Sequence, residues 1–498
     1  MTRKAALLVL VAVSTLQVTL LAGVALVLVS KSVPLGVPGE WVWNHLPAGV
    51  VQTPLQIGIG VTCIGVYAGF AVVGFLVLRT PQPAKEGMAV ASLLVLAILT
   101  QYLVALSAPD GYGLAKWVIT LGNKGSSGYF DVALQQAHDP SGFLARYPTW
   151  IQTQDALHIG THPPGLFLIP LGTLCWLEAH PTATRAILNA TPTEVMDAFA
   201  VIEGRRPLNG AGRATLVANA ALILLFCSAV VVPLYLLVRA FSNPSAAWAS
   251  AVLWTLVPAA NMFQPVADTA FPFLSTAALA LAAWSLRSSK WAALGLAFAS
   301  GLVLSVGMMF SLVFLPVGAL VACVILLDRS VSRSRSFRAS LFFSVGFGFL
   351  GATLLFWVAS KANPFLIWWW NQKHHARFYE QFPRNWLAWT LVNPVELGLA
   401  LGLPAAVWVL LGLIRGERKT WLPLATAVLL AALTLSGRSL SEVARLWLPF
   451  MPFLLAAGGS EIARLGKVEG SFALGISLVL GGIQTLLLQA SIQVVYPI

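Results

Sequence analysis

Apolar segments long enough to span a bilayer recur along this chain, and they constrain its fold more than any other feature. A transmembrane helix needs about 20 mostly apolar residues. With 58% hydrophobic and 10% charged residues, the chain cannot cover a water-soluble surface. The sequence therefore predicts an all-α polytopic membrane protein with about thirteen transmembrane helices. The predicted spans are 5–30, 55–79, 87–107, 214–240, 245–260, 268–286, 291–304, 309–327, 338–359, 396–414, 420–436, 446–459 and 472–490.

One further apolar segment, residues 163–177, is too short for an ordinary span and begins with two prolines. The positive-inside rule places Arg3, Lys4 and the loop 79–85 in the cytoplasm. The most basic short loop, 328–338, returns to the cytoplasm only if residues 163–177 do not cross. We therefore predict a cytoplasmic N-terminus, an outer C-terminus and an interfacial helix at residues 163–177.

This topology creates two long outer segments, 108–213 and 360–395, and the first of them is predicted to carry interfacial helices. It divides the chain into two N-terminal transmembrane helices (1–86), a core (87–460) and a C-terminal transmembrane helix (461–498). The first apolar run lacks a convincing cleavage site, so we expect it to be a permanent anchor. Shorter outer turns are predicted at residues 261–268, 306–309 and 436–445.

The net charge of +12 does not by itself indicate a nucleic-acid partner, and the four cysteines do not indicate a zinc site. The Lys and Arg residues are spread among short loops, as membrane topology requires, so we expect no nucleic-acid binding. The cysteines lie in apolar segments without metal-ligand spacing, and we interpret them as packing residues. They are Cys63, Cys175, Cys227 and Cys323.

The sequence His158-Ile-Gly-Thr-His162-Pro-Pro-Gly165 lies where the first outer segment meets an apolar run. His158 and His162 would share a face of a helix, although Gly160 and the prolines disfavour a helix there. They can fix the loop by hydrogen bonding, contact a substrate or bind a metal. A zinc protease would carry Glu at the position of Ile159.

Three acids on the predicted outer side are candidates for a general base. Asp139 precedes a proline and has an ordinary interpretation as a turn or cap residue. Asp131 follows two aromatic residues, and a purely structural role is less evident for it than for Asp139. Asp268 lies where an outer turn enters the next span, so it can cap that helix or face a site.

Cations and aromatic residues are mixed in the second outer segment and in the last outer turn. The second segment has more cations beside its aromatic residues than an interfacial tryptophan belt requires. Such side chains can bind the face of a sugar and an anionic headgroup. They include Lys373, His374, His375, Arg377 and Arg384. The last outer turn carries Arg438, Glu442 and Arg445, and we favour phosphate binding there over a plain surface ion pair.

These motifs together resemble the GT-C superfamily of membrane glycosyltransferases, which includes protein O-mannosyltransferases and lipid A aminoarabinose transferases. The resemblance covers roughly residues 87–460. It rests on the aromatic pair Tyr129-Phe130 in a long first outer loop, the His-Pro-Pro sequence and an Arg-bearing turn before a late proline-containing span. It implies transfer of a sugar from a polyprenyl-phosphate donor at the outer face of a bacterial inner membrane. A carboxylate would act as base and an arginine would hold the lipid phosphate.

The sequence departs from the family pattern at one position that matters for catalysis. The family usually places acids shortly before the aromatic pair, whereas Ser126, Ser127 and Gly128 stand there in this chain. Asp131 or Asp268 could take the role of the base, or the chain has lost activity. A divalent cation, Mg or Mn, is a candidate cofactor. The sequence does not identify the molecule that accepts the sugar.

Other functions compete with the glycosyltransferase interpretation. A transporter or flippase of lipid-linked or small polar substrates should carry polar residues near the middle of its spans and often shows internal repeats. Here the ionisable residues collect on one side, which favours an interfacial transferase. Another lipid-linked transferase or ligase and a scaffold without catalysis are the remaining alternatives.

Overall fold

The computed structural model describes residues 2–80, 82–204, 206–328, 331–415 and 421–494, and these residues are mostly helical, with almost no sheet. Two short antiparallel strand pairs are also present, β1 with β2 and β3 with β4. The strands are β1 (Gly36–Val37), β2 (Trp41–Val42), β3 (Asn44–His45) and β4 (Ile492–Gln493). Short 3-10 helices lie at Ile151–Thr153, Ala267–Thr269 and Leu448–Phe450. The α-helices are α1 (Arg3–Ser30), α2 (Pro54–Val77), α3 (Pro83–Leu106), α4 (Ala115–Gly122), α5 (Tyr129–Gln136), α6 (Pro140–Trp150), α7 (Gly165–Ala179), α8 (Pro181–Ala190), α9 (Thr193–Glu203), α10 (Gly210–Ala229), α11 (Val231–Phe241), α12 (Pro244–Thr255), α13 (Pro258–Met262), α14 (Phe271–Ser285), α15 (Lys290–Met308), α16 (Phe314–Leu327), α17 (Arg335–Ser360), α18 (Pro364–Gln381), α19 (Trp386–Leu401), α20 (Leu403–Arg415), α21 (Leu422–Leu435), α22 (Val443–Leu446), α23 (Met451–Arg464) and α24 (Lys467–Ser491).

Seven helical segments of the described chain are long and apolar enough to cross a membrane, or eight if the bent pair α19 and α20 forms one span. The predicted number of thirteen is not confirmed. The helices in the other five predicted spans have 12 to 15 residues. At a rise of about 1.5 Å per residue they reach roughly 18–23 Å, which is short of a hydrocarbon core about 30 Å thick. The shorter helices are α12, α14, α16, α21 and α23.

The predicted span 396–414 differs from the structure in its start and its shape. Its helix begins at Trp386, inside the predicted outer segment 360–395, and bends by 113° between α19 and α20. Gly402 stands at the bend with φ +89°, a backbone conformation that glycine adopts without a steric penalty. Pro404 follows and lacks the backbone N–H that a continuous helix would need there.

The first outer segment contains six helices, α4 to α9, and α7 covers the predicted interfacial segment 163–177 with its start shifted to Gly165. Its core is a cluster of apolar and aromatic side chains from α5, α6 and α7. Ile367 on α18 and Ala362 just before it belong to the same cluster. Burial of this shared cluster fixes α18 against the first outer segment.

Contacts between distant segments divide the loops into two groups. At one end, the basic end, Arg333 donates to the carbonyls of Leu286 and Ser288, and Arg464 donates to the carbonyl of Arg415. Of the predicted cytoplasmic loops, residues 81, 329–330 and 416–419 lie outside the described residues, as do 495–498 of the predicted C-terminal part.

At the other end, the cavity end, the first and second outer segments meet the turn that follows α21. Asn371 donates to the carbonyl of Gly160 at 2.8 Å, and the hydroxyl of Tyr379 accepts from the backbone N–H of Leu440 at 3.1 Å. The segment between α1 and α2 joins the same end, because Glu40 accepts from the indole N–H of Trp389 at 2.7 Å. The reactive side chains singled out from sequence are thereby brought to one end of the bundle.

Candidate active site

A cavity of about 600 Å³ opens at the cavity end, and we call it the polar cavity. Its walls come from the loop 156–162, the turn 266–271, α18 and the segment 438–450. Its volume is typical of small-molecule sites, which enclose about 300–1,000 Å³. Seven of the ten side chains predicted for catalysis or substrate binding line it: His158, His162, Asp268, His375, Arg438, Glu442 and Arg445.

The loop that carries His158 and His162 is held by side chains at its back. Asn371 donates to the carbonyls of Gly160 and His162, at 2.8 and 3.0 Å. Tyr147 donates to the same His162 carbonyl at 2.8 Å. Because these groups are satisfied on the side away from the cavity, the loop presents its two histidines from a fixed backbone.

His374 belongs to this support and not to the cavity wall. Its ring is fully buried, and Nε2 lies 2.9 Å from the carbonyl oxygen of Ile151. A Cβ added at Gly160 would meet the His374 ring and collide with the carbonyl oxygen of Asp155. The glycine of the His-Ile-Gly-Thr-His sequence is therefore required for the close approach of the loop to α18.

Gly165, at the end of the His-Pro-Pro-Gly sequence, has a similar role. Its backbone N–H donates to the carbonyl of Met309 at 2.7 Å, and an added Cβ would lie 2.5 Å from that oxygen. A side chain at this position would push α7 away from the start of the 310–313 loop. The sequence motif thus marks a close backbone contact between two loops.

His162 is neutral at pH 7 in this environment. Burial lowers the pKa of His162 to about 4, although its hydrogen bond to the backbone of His158 acts in the opposite direction. Nδ1 lies 2.9 Å from the His158 carbonyl oxygen, which can only accept, so Nδ1 carries the proton. Nε2 is then the acceptor atom that the ring can offer to a ligand.

Of the two acids predicted as catalytic, Asp268 is the one that faces the polar cavity. It lies in the 3-10 turn Ala267–Thr269, which is closed by the hydroxyl of Thr269 donating to the carbonyl of Val266 at 2.8 Å. Burial raises the pKa of the Asp268 carboxyl, and the positive charge of Arg445 opposes that rise. A carboxylate with a raised pKa next to a cation suits a general base.

Arg445 and Glu442 form an ion pair in the cavity wall, with 2.9 Å between Nη2 and Oε2. Burial lowers the pKa of Arg445, but the carboxylates of Glu442 and Asp268 outweigh that effect and leave the pKa above its usual value. Arg445 therefore stays charged inside the protein. A permanent cation of this kind is the group that binds phosphate with a fork of N–H donors.

The backbone that presents Glu442 is in an unusual conformation. Ser441 and Glu442 have φ values of 70° and 53°, in the left-handed region that costs a residue with a side chain about 1–3 kcal/mol. Hydrogen bonds hold the turn from both sides, from Asn393 to the carbonyl of Ser439 at 2.9 Å and from the N–H of Ala444 to Glu396 at 3.1 Å. Such strain is often found at functional sites.

Asp131 and Arg377 lie outside the described lining of the polar cavity. Asp131 sits two residues after Tyr129 on α5, so the two side chains point to opposite sides of the helix. Tyr129 lines the cavity, whereas Asp131 lies 3.7 Å from Arg206 in an ion pair. Arg377 is exposed on α18.

Tyr129, Gln372 and Tyr379 are among the side chains of the cavity wall that were not predicted as site residues. On α18, Gln372, His375 and Tyr379 are spaced i, i+3, i+7 and share a face. The adjoining face, with Ile367, Asn371 and His374, is fully buried. A helical interpretation of residues 364–381 would have separated the two faces.

An apolar groove of about 270 Å³ adjoins the polar cavity between α7, α10 and α14. Five residues line both compartments: Leu121, Ser127, Tyr129, Ala267 and Phe271. At the far side of the groove, Ile169, Leu222 and Phe226 are exposed, by 46%, 38% and 41%. In a membrane-spanning bundle this side of the groove is open to lipid chains.

Among the described residues, no group of three or more His, Cys, Asp and Glu side chains is arranged to hold a metal ion. No protein-family model matches the sequence, and comparisons with curated proteins and with solved structures find no match. The resemblance to GT-C enzymes therefore stays a prediction that rests on the sequence motifs. The geometry of the polar cavity and the groove is the basis for a functional conclusion.

Proposed function

We propose that this chain is a glycosyltransferase that moves a sugar from a polyprenyl-phosphate donor to an acceptor at the non-cytoplasmic face of a bacterial inner membrane. One observation carries the proposal. The polar cavity, which holds a carboxylate and a charged arginine, continues into an apolar groove that opens sideways. A polyprenyl-phosphate sugar has a polar head and a long apolar chain, and it needs two adjoining compartments of this kind.

In this arrangement the phosphate lies where the two compartments meet. Tyr129 lines both of them, and its hydroxyl and the guanidinium of Arg445 are the groups we assign to the phosphate. The prenyl chain follows the groove past Leu222 and Phe226. The sugar occupies the cavity, where His158 provides polar contacts.

We assign the role of general base in this transfer to Asp268. The carboxylate removes the proton of the acceptor hydroxyl while its oxygen forms a bond to the anomeric carbon of the sugar. The bond from that carbon to the phosphate oxygen breaks, and the phosphate takes the electron pair. Polyprenyl phosphate leaves with one more negative charge than the donor carried, and the proton on Asp268 passes to water. By the resemblance to GT-C enzymes, the configuration of the sugar is inverted.

Asp268 is preferred to Asp131 because only Asp268 lies in the cavity wall beside Arg445. A loss of activity was the third possibility left by the missing acids before Tyr129. The carboxylate that Asp268 supplies from a later turn supports an active enzyme instead. Its position explains how the chain can dispense with the family's usual acids.

Release of polyprenyl phosphate tests the proposal whichever sugar the enzyme transfers. Purified protein in lipid vesicles is supplied with a set of polyprenyl-phosphate sugars and a mixture of hydroxyl acceptors, and free polyprenyl phosphate is measured. We expect its release to require both the protein and an acceptor. Movement of intact donor across the vesicle membrane without release would instead support the transporter or flippase function.

The proposed orientation has a separate test. Ser332 is exposed at the basic end and Ser436 is exposed at the cavity end. Single cysteines at these positions, in a background without the four native cysteines, should react with an impermeant reagent from opposite sides of the membrane. Labelling of Ser332→Cys from the cytoplasmic side supports the proposal, and labelling of both from one side contradicts it.

A further inference from the structure

The described residues that line the polar cavity carry equal numbers of positive and negative charges. Arg438 and Arg445 supply two positive charges, and Asp268 and Glu442 supply two negative ones. The three histidines of the lining add no charge at pH 7, because burial lowers the pKa of His162 and His375 to about 4 and lowers the pKa of His158 from its usual value. The site thus combines the arginine that a phosphate needs with a carboxylate 2.9 Å from it.

Glu442 is held in this position by the fold. The left-handed backbone at Ser441 and Glu442 is fixed by the hydrogen bonds from Asn393 and to Glu396. The same turn contacts α18 through Tyr379 and Leu440. A phosphate that binds Arg445 must therefore share the guanidinium with a carboxylate that has little freedom to move away.

The charge of the ligand changes during the proposed reaction, and this inference rests on that function. The donor is a phosphodiester with one negative charge. The product is a phosphomonoester, whose second pKa is about 6, so it carries close to two negative charges at neutral pH. A fixed carboxylate beside the phosphate repels the product more strongly than the donor.

We propose that Glu442 is a specificity-determining residue that makes the polar cavity favour the phosphodiester donor over the phosphomonoester product. Arg445 has five N–H groups, of which Glu442 occupies one, and the remaining groups bind the phosphate. Glu442 limits how much additional negative charge the site accepts. The gain in charge on the leaving phosphate then promotes release of polyprenyl phosphate after each transfer.

The test compares two lipids that differ in this charge, farnesyl phosphate and its methyl ester, at pH 8. Binding of each to the purified protein in detergent is measured by calorimetry for the wild type and for Glu442→Gln, which removes the charge and keeps the size. We expect Glu442→Gln to lower the Kd of farnesyl phosphate about tenfold and that of the methyl ester about threefold or less, as Coulomb repulsion scales with ligand charge. Glu442→Asp, which keeps the charge, should retain the wild-type ratio of the two values.

Asp139→Asn is the matched control, because Asp139 forms an ion pair with Arg146 at 3.0 Å on the exposed surface outside the cavity lining. It should leave both Kd values unchanged. Equal shifts of the two Kd values in Glu442→Gln, or no shift, would overturn the role of Glu442 while leaving the proposed function intact. Failure of both lipids to bind the wild type would overturn the inference together with the proposed function.

Discussion

The arginines at the two ends of the helical bundle are used differently. At the basic end, Arg338 is buried and its guanidinium donates to the carbonyls of Ile325 and Val331, at 2.7 and 2.8 Å. Arg333 likewise donates to two carbonyls. At the cavity end, Arg445 faces an open space, and its partner is the carboxylate of Glu442.

These different partners distinguish arginines that stabilise the fold from arginines that are available to bind a ligand. A guanidinium that donates to main-chain carbonyls at a helix end satisfies groups that the helix leaves unpaired, so it stabilises a loop. A guanidinium that lines a cavity beside two carboxylates is held in place and keeps N–H groups for an anion. Positive charge alone, as seen in the sequence, does not distinguish the two.

The largest expected effect separates the two candidate acids. Asp268→Asn keeps the shape of the side chain and removes its basicity, so it should lower kcat by about 10²–10⁴-fold for a general base. Asp131→Asn should leave kcat nearly unchanged, because Asp131 is paired with Arg206 outside the cavity lining. Release of polyprenyl phosphate measures both, with the melting temperature as the control for folding. A dead Asp131→Asn beside an active Asp268→Asn would reverse the assignment.

The second effect is on binding of a lipid phosphate, and it should differ between an arginine of the cavity end and an arginine of the basic end. Arg445→Ala should weaken binding of farnesyl phosphate by about 1.5–3 kcal/mol, the usual range for a hydrogen bond to a charged group. Arg445→Lys should restore part of this loss, because lysine lacks the planar fork. Arg333→Ala is the matched variant at the basic end. It should lower the melting temperature and leave the Kd unchanged, and a comparable loss of binding in Arg333→Ala would break the distinction.

A third, smaller effect tests the contact that shapes the cavity end. Gly165→Ala forces a Cβ against the carbonyl oxygen of Met309 and should cost about 1–3 kcal/mol of folding free energy, as overpacking does. Gly172→Ala, on the same helix, meets no atom within 4 Å and should be neutral or slightly stabilising. Thermal unfolding of the two variants measures the difference. Equal stabilities would show that the loop contact is not tight.

The smallest expected effect is a pH dependence of stability. The folded protein holds the pKa of His162 at about 4, below the unfolded value of about 6.5. Between these values the unfolded chain binds more protons, so stability is complete above about pH 6.5 and decreases as the pH falls toward 4. His162→Gln should show a shallower decrease of the melting temperature from pH 7 to pH 5. An identical decrease in both proteins would contradict a neutral His162.

The sequence predicted the all-α class because long apolar runs have few alternatives in a membrane. It did not predict the number of spans, because a short apolar helix buried in protein resembles a short transmembrane helix in sequence. In α12, every residue from Pro244 to Thr255 is buried. The bend at Gly402 was also missed, since its left-handed backbone depends on tertiary contacts.

The candidate site was predictable in part. The acids and arginines of the short turns were found because charged residues beside apolar runs are unusual, and the structure places Asp268 and Arg445 in one cavity. The sequence could not tell Asp131 from Asp268, because only the direction of α5 turns Asp131 away. Nor did it reveal the groove between α7, α10 and α14, since the apolar residues that form it resemble any lipid-facing surface.

The proposed function requires the polar cavity and the apolar groove to hold one lipid phosphate between them. A cryo-EM map of the protein with a bound polyprenyl-phosphate sugar tests this requirement most directly. We predict density for the phosphate beside Arg445 and Tyr129, the prenyl chain in the groove past Phe226, and the sugar in the cavity near Asp268. A lipid bound elsewhere, or a phosphate placed at the basic end near Arg333, would contradict the proposed function.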